Sequence, residues 1–512
     1  MKKILITIIA GSCFLSMQSC KKWIDDSFAN PNGQTVAEPS TVLSSIHANM
    51  ARGIQFDSRY IGGYTQYFLS TSALSTTERM GYFAGSDAIG EKWRTHYWNL
   101  GQNLLNIVRE SDQSKRYEYA GACYAIWAWS WLHLTDAHGE VVLKQFADPN
   151  RITFDYDSQE EVYQHVMKIA DSAVYFLNLA SADAGASARL AVGDKYFYGG
   201  NINLYKKMAY GIKAKAFHRY SNKSTYKPDS VIKYVDLSFA SAAEDAEIKF
   251  AGGISDASNF FGPRRANVAS FRLSDWMVKM MNGTIFTGAT DPRLGSITLK
   301  NTSNSYSGFL PGVGGSSATT ANFWGKYNAS TISGGIDTDA RTFFKNESNF
   351  PILTYTDLQF MKAEAAFIKG DKNLALTAYT NGINGSFDLY AKYTGYLPIT
   401  ATDKANFLAN TAIVPATASA LTLSQIMLQK YIALWGYGFE ETWVDLRRYK
   451  YDPTVYTGYA PPASLFPDNS GKLVYRVRPR YNSEYIWNIE ALKLIGGLDI
   501  DYHTKLTWFV NP

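Results

Sequence analysis

Cysteine is scarce in this sequence. Cys13, Cys20 and Cys123 are the only three in 512 residues, too few for the disulfide framework that holds many small secreted domains together. A chain of this length can instead bury a large apolar core. The sequence therefore predicts a fold that is stabilised by its core rather than by cross-links.

Charge is also sparse, and it is nearly balanced. Charged residues make up 19% of the chain, and the formal net charge of +5 falls to +3 when residues 1–19, which carry two lysines, are removed. So weak a positive balance gives no reason to expect a nucleic acid as a partner. Tyr, Trp and Phe together reach 15%, and we expect some of these aromatic residues to serve a surface.

No apolar run is long enough to cross a membrane, which takes roughly 20 apolar residues in a helix. The N-terminal run Ile4–Leu15 is shorter, and it has the length and the preceding lysines of a secretory signal. The longest uncharged run after it, Tyr119–Thr135, is interrupted by Gly121 and His133. This second run predicts a buried helix.

Cys20 directly follows the signal-like segment. Small Ser19 precedes it, as cleavage beside a cysteine that is to be lipidated requires. We therefore predict a signal peptide over residues 1–19 and a lipid on Cys20 that anchors the mature chain, 20–512, to a membrane. The alternative is simple secretion with Cys20 as a free thiol, which exported proteins seldom keep.

Familiar catalytic motifs are missing as well. The sequence has no Gly-x-Ser-x-Gly elbow, no phosphate-binding loop ending in Gly-Lys-Ser/Thr and no His-Glu-x-x-His pair. His133, Asp136 and His138 are close in sequence, but their spacing puts the two histidines on different sides of a helix, so we interpret them as a polar helix end. We predict no metal site and no cofactor. Glycoside hydrolysis stays open, because its two carboxylates need no fixed spacing.

Apolar residues recur every three or four positions in several segments, which is the spacing of amphipathic helices. Ser158 to Glu161 has the sequence of a capping box, and Gly370 separates two helical segments as a helix-ending glycine. The predicted helices are Trp98–Glu110, Tyr117–Leu134, Val162–Leu177, Asn203–Tyr220, Asp357–Lys369, Lys372–Ile383 and Ser424–Phe439. We predict a mostly α-helical fold built from tetratricopeptide-like helix pairs, without a regular repeat period.

The segment from about residue 254 to 349 differs from the rest of the chain. Gly, Ser, Thr and Asn dominate it, and only Ser274–Met281 keeps a helical period. Loops of this length in a compact protein are usually functional or disordered. Because aromatic residues such as Trp324 and Tyr327 recur in it, we predict ordered, surface-lining loops inserted within a single domain that spans 20–512.

Two segments, 78–99 and 322–327, interleave aromatic residues with Arg, Asn and Asp. Aromatic rings pack against the C–H faces of sugar rings, while the polar groups hydrogen-bond to hydroxyls. The alternative for each aromatic residue is packing in the core. From these segments we predict the ligand contacts Arg79, Tyr82, Phe83, Trp93, Arg94, Trp324 and Tyr327.

Five stretches carry a family resemblance through their order and spacing. They are LTDAHGEVVL at 134–143, GDKYFYGGN at 193–201, TYTDLQFMKAEAAFIKGD at 354–371, QKYIALWGYGFEETWVDLRRYKYDP at 429–453 and RPRYNSEYIWNIEAL at 478–492. Together they resemble the SusD/RagB family of outer-membrane nutrient-binding lipoproteins. One departure is Val142, which stands where that family usually has proline.

The resemblance implies four tetratricopeptide-like helix pairs and a lipid anchor in the outer membrane, with the protein exposed at the cell surface. It also implies docking over a SusC-like TonB-dependent channel, as a lid that traps an oligosaccharide or another nutrient. The ligand site would lie on loops around an early helix and in the loop-rich insertion. Glu364, Asp445, Arg447 and Arg448 would be structural groups.

Three functions follow from these observations. The leading hypothesis is a non-enzymatic lipoprotein that binds a glycan and delivers it to the channel. The rivals are a surface glycoside hydrolase and a scaffold or adhesin lipoprotein without a small ligand. The sequence leaves the nutrient open among starch, other plant glycans, host glycans and peptides.

Overall fold

The computed structural model describes residues 37–327, 341–393 and 398–512, and the predicted signal peptide and Cys20 lie outside these ranges. Helices dominate the described part, so the prediction of a mostly α-helical fold is confirmed. The α-helices are α1 (Pro39–Tyr64), α2 (Glu91–Arg94), α3 (Gln102–Gln113), α4 (Tyr117–His138), α5 (Gln159–Ser181), α6 (Ala186–Gly193), α7 (Ile202–His218), α8 (Pro228–Asp236), α9 (Asp275–Met281), α10 (Leu294–Ile297), α11 (Tyr355–Lys369), α12 (Lys372–Lys392), α13 (Ala401–Ala409), α14 (Leu423–Leu434), α15 (Phe439–Arg448) and α16 (Ile489–Leu494).

Strands and π-helical turns make a small contribution. Two antiparallel pairs form in the described ranges, β1 (Leu69–Ser70) with β3 (Phe271–Arg272) and β2 (Ala246–Ile248) with β4 (Phe350–Leu353). The π-helical turn π1 (Thr95–Gly101) joins α2 to α3, and π2 (Tyr481–Tyr485) lies shortly before α16.

Helix ends follow from local side-chain chemistry. The Ser158 hydroxyl accepts a hydrogen bond from the Glu161 backbone N–H at the start of α5, and the Glu161 carboxylate accepts from the Ser158 N–H, so the predicted capping box is confirmed. Gly370 ends α11 with φ +90°, a left-handed conformation that glycine adopts without steric cost. This turn lets α12 fold back directly on α11.

Consecutive helices pack as antiparallel pairs, with α4 on α5, α7 on α8 and α11 on α12. Gly121 of α4 lies so close to α5 that a Cβ in its place would be 2.6 Å from Cγ of Leu177. The prediction of tetratricopeptide-like helix pairs is confirmed. In the described part of the chain, no helix combines the length and the apolar content that a membrane crossing requires.

The prediction of one helix over Ser424–Phe439 is wrong. The chain forms α14 and α15 instead, and α14 ends at Leu434. Gly436 lies between them with φ +88°, where the left-handed backbone breaks the helical path. The apolar periodicity continues through this break because both helices face the same core.

The interior contains a dense network of buried ion pairs. Glu364 of α11 accepts hydrogen bonds from His218 at 2.9 Å, from Arg448 at 2.7 and 2.8 Å, and from the Tyr449 hydroxyl at 2.5 Å. Burial favours a raised pKa for Glu364, but the charge of Arg448 and the hydrogen bond from His218 outweigh it and hold the pKa well below its ordinary value. Arg448 also bonds Asp445 at 2.7 Å.

A second cluster joins two further helices, α4 and α14, to this network. Arg219 bonds Asp136 at 2.8 Å and Glu441 at 2.6 Å, and Lys215 bonds Glu441 at 2.9 Å. Lys430 of α14 reaches Asp445 at 2.8 Å, and so connects the second cluster to the first. The structural role expected for Glu364, Asp445 and Arg448 is confirmed by this buried setting.

Candidate functional site

Two adjoining cavities lie where the 78–99 segment meets the C-terminal segment, and Arg480 lines both of them. The first, which we call the arginine cavity, has a volume of about 360 Å³. The second, the aromatic cavity, has a volume of about 520 Å³. The main side chains of the arginine cavity are Tyr82, Phe83, Arg476, Arg478, Arg480, Tyr481, Tyr485 and His503. Those of the aromatic cavity are Trp93, Arg94, Tyr97, Trp98, Phe146, Phe154, Arg480 and Glu484.

The aromatic cavity is positioned by α2 and π1. Trp93 is buried, and its ring centroid lies 5.2 Å from that of Tyr97. Trp98, which follows Tyr97 directly in sequence, lines the cavity and is 76% exposed. The π-helical turn changes the helical register at this point. A large exposed aromatic ring beside a concave apolar wall is the geometry that stacks on the apolar face of a sugar ring.

Buried charged residues of α1 and α15 hold the start of α2 in place. Asp57 of α1 accepts hydrogen bonds from the backbone N–H groups of Glu91 at 3.2 Å and Lys92 at 2.8 Å. The Lys92 ammonium forms an ion pair with Glu440 of α15, which also bonds His133 at 2.5 Å. These contacts connect the segment that carries Trp93 to the rigid interior.

Burial favours a raised pKa for both carboxylates of this support, but the outcome differs because their neighbouring charges differ. It raises the pKa of Asp57 from 3.8 to about 7, against the opposing charge of Lys92. Burial also favours a raised pKa for Glu440, but Lys92 and His133 outweigh it and lower the pKa to about 2. Asp57 therefore titrates near neutral pH, while Glu440 stays ionised.

Glu484 lines the aromatic cavity and is buried. It accepts hydrogen bonds from the Tyr156 hydroxyl at 2.6 Å and from the Asn488 side chain at 2.9 Å. Asn488 in turn accepts from the Phe154 N–H at 2.9 Å and so holds Phe154 at the cavity wall. In the described linings of the two cavities, Glu484 is the only carboxylate.

The arginine cavity is built around a run of alternating arginines. The Arg478 guanidinium lies 4.0 Å from the ring centroid of Tyr82, and the Tyr82 ring lies 4.7 Å from that of His503. The Tyr82 hydroxyl donates to Asp468 at 3.0 Å. Phe83 is 38% exposed and packs edge-on against Tyr60.

The structure places four of the predicted ligand contacts around these cavities. Tyr82 and Phe83 line the arginine cavity, and Trp93 and Arg94 line the aromatic cavity. Arg94 is exposed, and its only described ion pair is with Glu91 at 3.7 Å. The loops around this early helical segment thus form a single candidate site.

The other three predicted contacts lie elsewhere. Arg79 donates three hydrogen bonds to Ser464 and Leu465, which makes it a bridge between two loops. Trp324 is fully buried, and its indole N–H donates to the Phe261 carbonyl at 2.9 Å. Its ring has no exposed face for stacking, so the candidate site excludes it. The Tyr327 hydroxyl donates to the Lys300 carbonyl at 2.6 Å, away from both cavities.

Sequence reasoning missed about half of the site. Tyr97 and Trp98 lie inside segment 78–99, whose mixture of aromatic and polar residues indicates a ligand site. Phe146 and Phe154 lie between the predicted helices 117–134 and 162–177, and Arg478 and Arg480 lie in a stretch that carries the family resemblance. Nothing local marks these residues as ligand contacts.

A SusD-like family model, described as starch-binding and associating with the outer membrane, matches residues 31–477 of the chain. The chain belongs to the SusD-like family. The family match confirms the resemblance that the five motifs indicated. It also places the protein among carbohydrate-binding proteins that associate with the outer membrane.

Solved structures of the same family share the fold. A chitin-binding protein superposes with a TM-score of 0.71 at 19% identity, over 93% of this chain and 100% of that one. A chitin-binding SusD homologue from Flavobacterium johnsoniae gives 0.70 at 20% identity, over 92% and 99%. A SusD/RagB family protein from Bacteroides thetaiotaomicron gives 0.64 at 20% identity, over 91% and 98%. No curated protein matches the chain.

Proposed function

We propose that this SusD-like protein is a non-enzymatic lipoprotein that binds an oligosaccharide across the two cavities and delivers it to a SusC-like TonB-dependent channel. The observation that carries the proposal is the exposed Trp98 ring beside the aromatic cavity, with guanidinium groups of Arg94 and Arg480 at its edge. Stacking on the ring and hydrogen bonds from the arginines supply the two kinds of contact that a sugar needs.

The number of carboxylates that line the two cavities favours binding without bond cleavage. Glycoside hydrolysis generally uses two carboxylates that flank the scissile bond. The described linings offer Glu484 alone, and two donors already occupy it. The rival of a surface glycoside hydrolase therefore lacks a second carboxylate at this site.

The test is a titration of the mature protein with a panel of neutral and acidic oligosaccharides by calorimetry, followed by an assay for released reducing ends. We expect saturable binding of at least one glycan and no release. Turnover of any bound glycan would contradict the binding role. If no oligosaccharide binds, the scaffold or adhesin alternative gains.

The anchor, the location and the partner each need a separate experiment. Labelling cells with a clickable fatty acid should modify the wild-type protein and not a Cys20→Ser variant. Protease treatment of intact cells should degrade the protein if it is displayed on the outer face. A TonB-dependent channel should co-purify with the tagged protein from detergent-solubilised outer membranes; its absence would remove the lid role.

A further inference from the structure

The two cavities differ in the charge of their walls. Among the described residues, the arginine cavity is lined by three guanidinium groups and the imidazole of His503, and by no carboxylate. Burial lowers the pKa of His503 to about 4, so this imidazole is neutral near pH 7. The positive charge of the wall therefore comes from Arg476, Arg478 and Arg480.

Two of these arginines are paired with carboxylates. Arg476 pairs with Glu140 at 2.5 Å, and Arg480 pairs with Asp87. Neither carboxylate is part of the lining. These pairs reduce the charge of Arg476 and Arg480 without placing negative charge in the cavity.

Arg478 differs because its described hydrogen-bond partners are all neutral. It donates to the Tyr485 hydroxyl at 3.1 Å and to the carbonyls of Gly497 at 3.2 Å, Asp499 at 2.7 Å and Ile500 at 2.5 Å. These carbonyls and this hydroxyl bond its Nη1 and Nη2 groups but leave its full positive charge in place. The lining thus keeps one uncompensated charge in a partly enclosed space, where water screens it less than at an open surface.

Arg480 has donors to spare. A guanidinium has five N–H donors, and in the described ranges Arg480 uses one nitrogen, Nη2, to bond Asp87. It lies between the two cavities and lines both. A negatively charged group in the arginine cavity would be within reach of Arg480, while the adjacent part of the same ligand lies against Trp98.

We propose that the arginine cavity binds the anionic group of an acidic saccharide, a carboxylate or a sulfate ester, while the neighbouring sugar ring stacks in the aromatic cavity. This inference rests on the proposed glycan-binding function and adds the chemical class of the ligand. Guanidinium groups match the planar geometry of carboxylate and sulfate oxygens, and such charge-assisted hydrogen bonds are about twice as strong as neutral ones.

The test uses two pairs of ligands with the full mature protein in calorimetry. Oligogalacturonate is compared with its carboxyl-reduced counterpart, and sulfated carrageenan oligosaccharide with its desulfated counterpart. We expect at least one acidic ligand to bind about tenfold or more tightly than its neutral partner. The difference should shrink in 0.5 M NaCl, since salt screens the charge. The two pairs distinguish a carboxylate from a sulfate.

Three variants connect the effect to the cavity. Arg480→Gln should reduce the acidic preference, with the charge of Arg478 still in place, and Asp87→Asn should strengthen acidic binding several-fold by releasing Arg480. The matched control is Arg151→Gln, which removes an exposed arginine outside both cavities that pairs with Asp148 at 3.3 Å, and it should change nothing. Urea unfolding of each variant verifies that the fold is intact.

Two results would overturn the acidic assignment. One is neutral partners that bind as tightly as both acidic ligands, and the other is an Arg480→Gln variant that behaves like Arg151→Gln. In either case the glycan-binding proposal stands, provided that some oligosaccharide binds. If no neutral or acidic oligosaccharide binds at all, both proposals fail together.

Discussion

Arginines serve opposite purposes in two regions of this molecule. In the interior, Arg448 and Arg219 are fully buried and each bonds two carboxylates. At the cavities, Arg478 bonds only neutral acceptors in the described part, and Arg480 has a single carboxylate partner and remains partly exposed. In the interior, the arginine side chains form ion pairs that stabilise the fold. At the cavities, they keep positive charge or unused N–H donors.

This difference gives a rule for locating function in a protein of this kind. The buried guanidinium groups of Arg219 and Arg448 are paired with carboxylates, because an unpaired buried charge is strongly destabilising. A guanidinium that keeps unpaired donors beside a cavity carries a cost that a ligand can offset. Substitutions in the two regions should therefore affect different measurements.

The largest effect is expected for Arg448→Met. Removing this guanidinium leaves Glu364 buried without its main cation and Asp445 with Lys430 alone, and we expect a loss of about 3–5 kcal/mol in the free energy of unfolding. Urea denaturation measures it. The matched variant Arg480→Gln should lose less than about 1 kcal/mol. Equal losses in the two variants would remove the distinction between the regions.

Trp324→Ala extends the comparison to aromatic residues. Because Trp324 is fully buried and its indole is hydrogen-bonded to Phe261, truncation should leave a cavity and cost about 3–5 kcal/mol of stability. Oligosaccharide affinity of the folded protein should be unchanged, since the residue lines neither cavity. A selective loss of affinity at unchanged stability would return Trp324 to the ligand site.

Trp98→Ala should show the reverse pattern. We expect oligosaccharide affinity to fall about five- to tenfold, since a ring stacking on a sugar contributes about 1 kcal/mol, with stability changed by less than about 0.5 kcal/mol. The matched control is Trp487→Ala, because Trp487 is 73% exposed and lies outside the cavity linings. Calorimetry should show normal binding for that control; a comparable loss in both variants would place the ligand elsewhere.

The last effect concerns pH, and it tests the contacts that join α2 to the interior. The folded-state pKa of Asp57 is raised from 3.8 to about 7. Between these values the folded protein holds a proton that the unfolded chain has released, so the contribution of Asp57 to stability falls as the pH rises toward 7. Asp57→Asn keeps an acceptor oxygen and removes this titration.

We therefore expect wild-type stability to decline relative to Asp57→Asn between pH 5 and 7, by an amount on the order of 1 kcal/mol or more. Above pH 8 the difference should be constant. Urea unfolding at several pH values measures it. A difference that does not change with pH would mean that Asp57 is ionised throughout in the folded protein.

Much of the fold could be predicted because helix periodicity and caps are local. Ser158 and Gly370 act over a few residues, and the sequence carries that information directly. The break at Gly436 was missed because apolar spacing continues across it. The left-handed conformation of Gly436 ends the helical path after α14. Tertiary packing stabilises that conformation.

The site was half predictable for the opposite reason. Tyr82, Phe83, Trp93 and Arg94 come from one glycine-rich segment whose composition marks it. Arg480 bonds Asp87, which is 393 residues away in sequence. No local sequence pattern predicts such a contact. Trp324 shows the converse error, because a loop rich in Gly and Ser can still bury its aromatic residues when it folds back on the core.

The most direct test of the central claim is the structure of the mature protein in complex with the oligosaccharide that binds most tightly in calorimetry. We expect a sugar ring stacked on Trp98, with the glycan chain continuing past Arg480 into the arginine cavity. A glycan bound at a separate surface, such as the depression lined by residues 298–306, with both cavities empty, would contradict it.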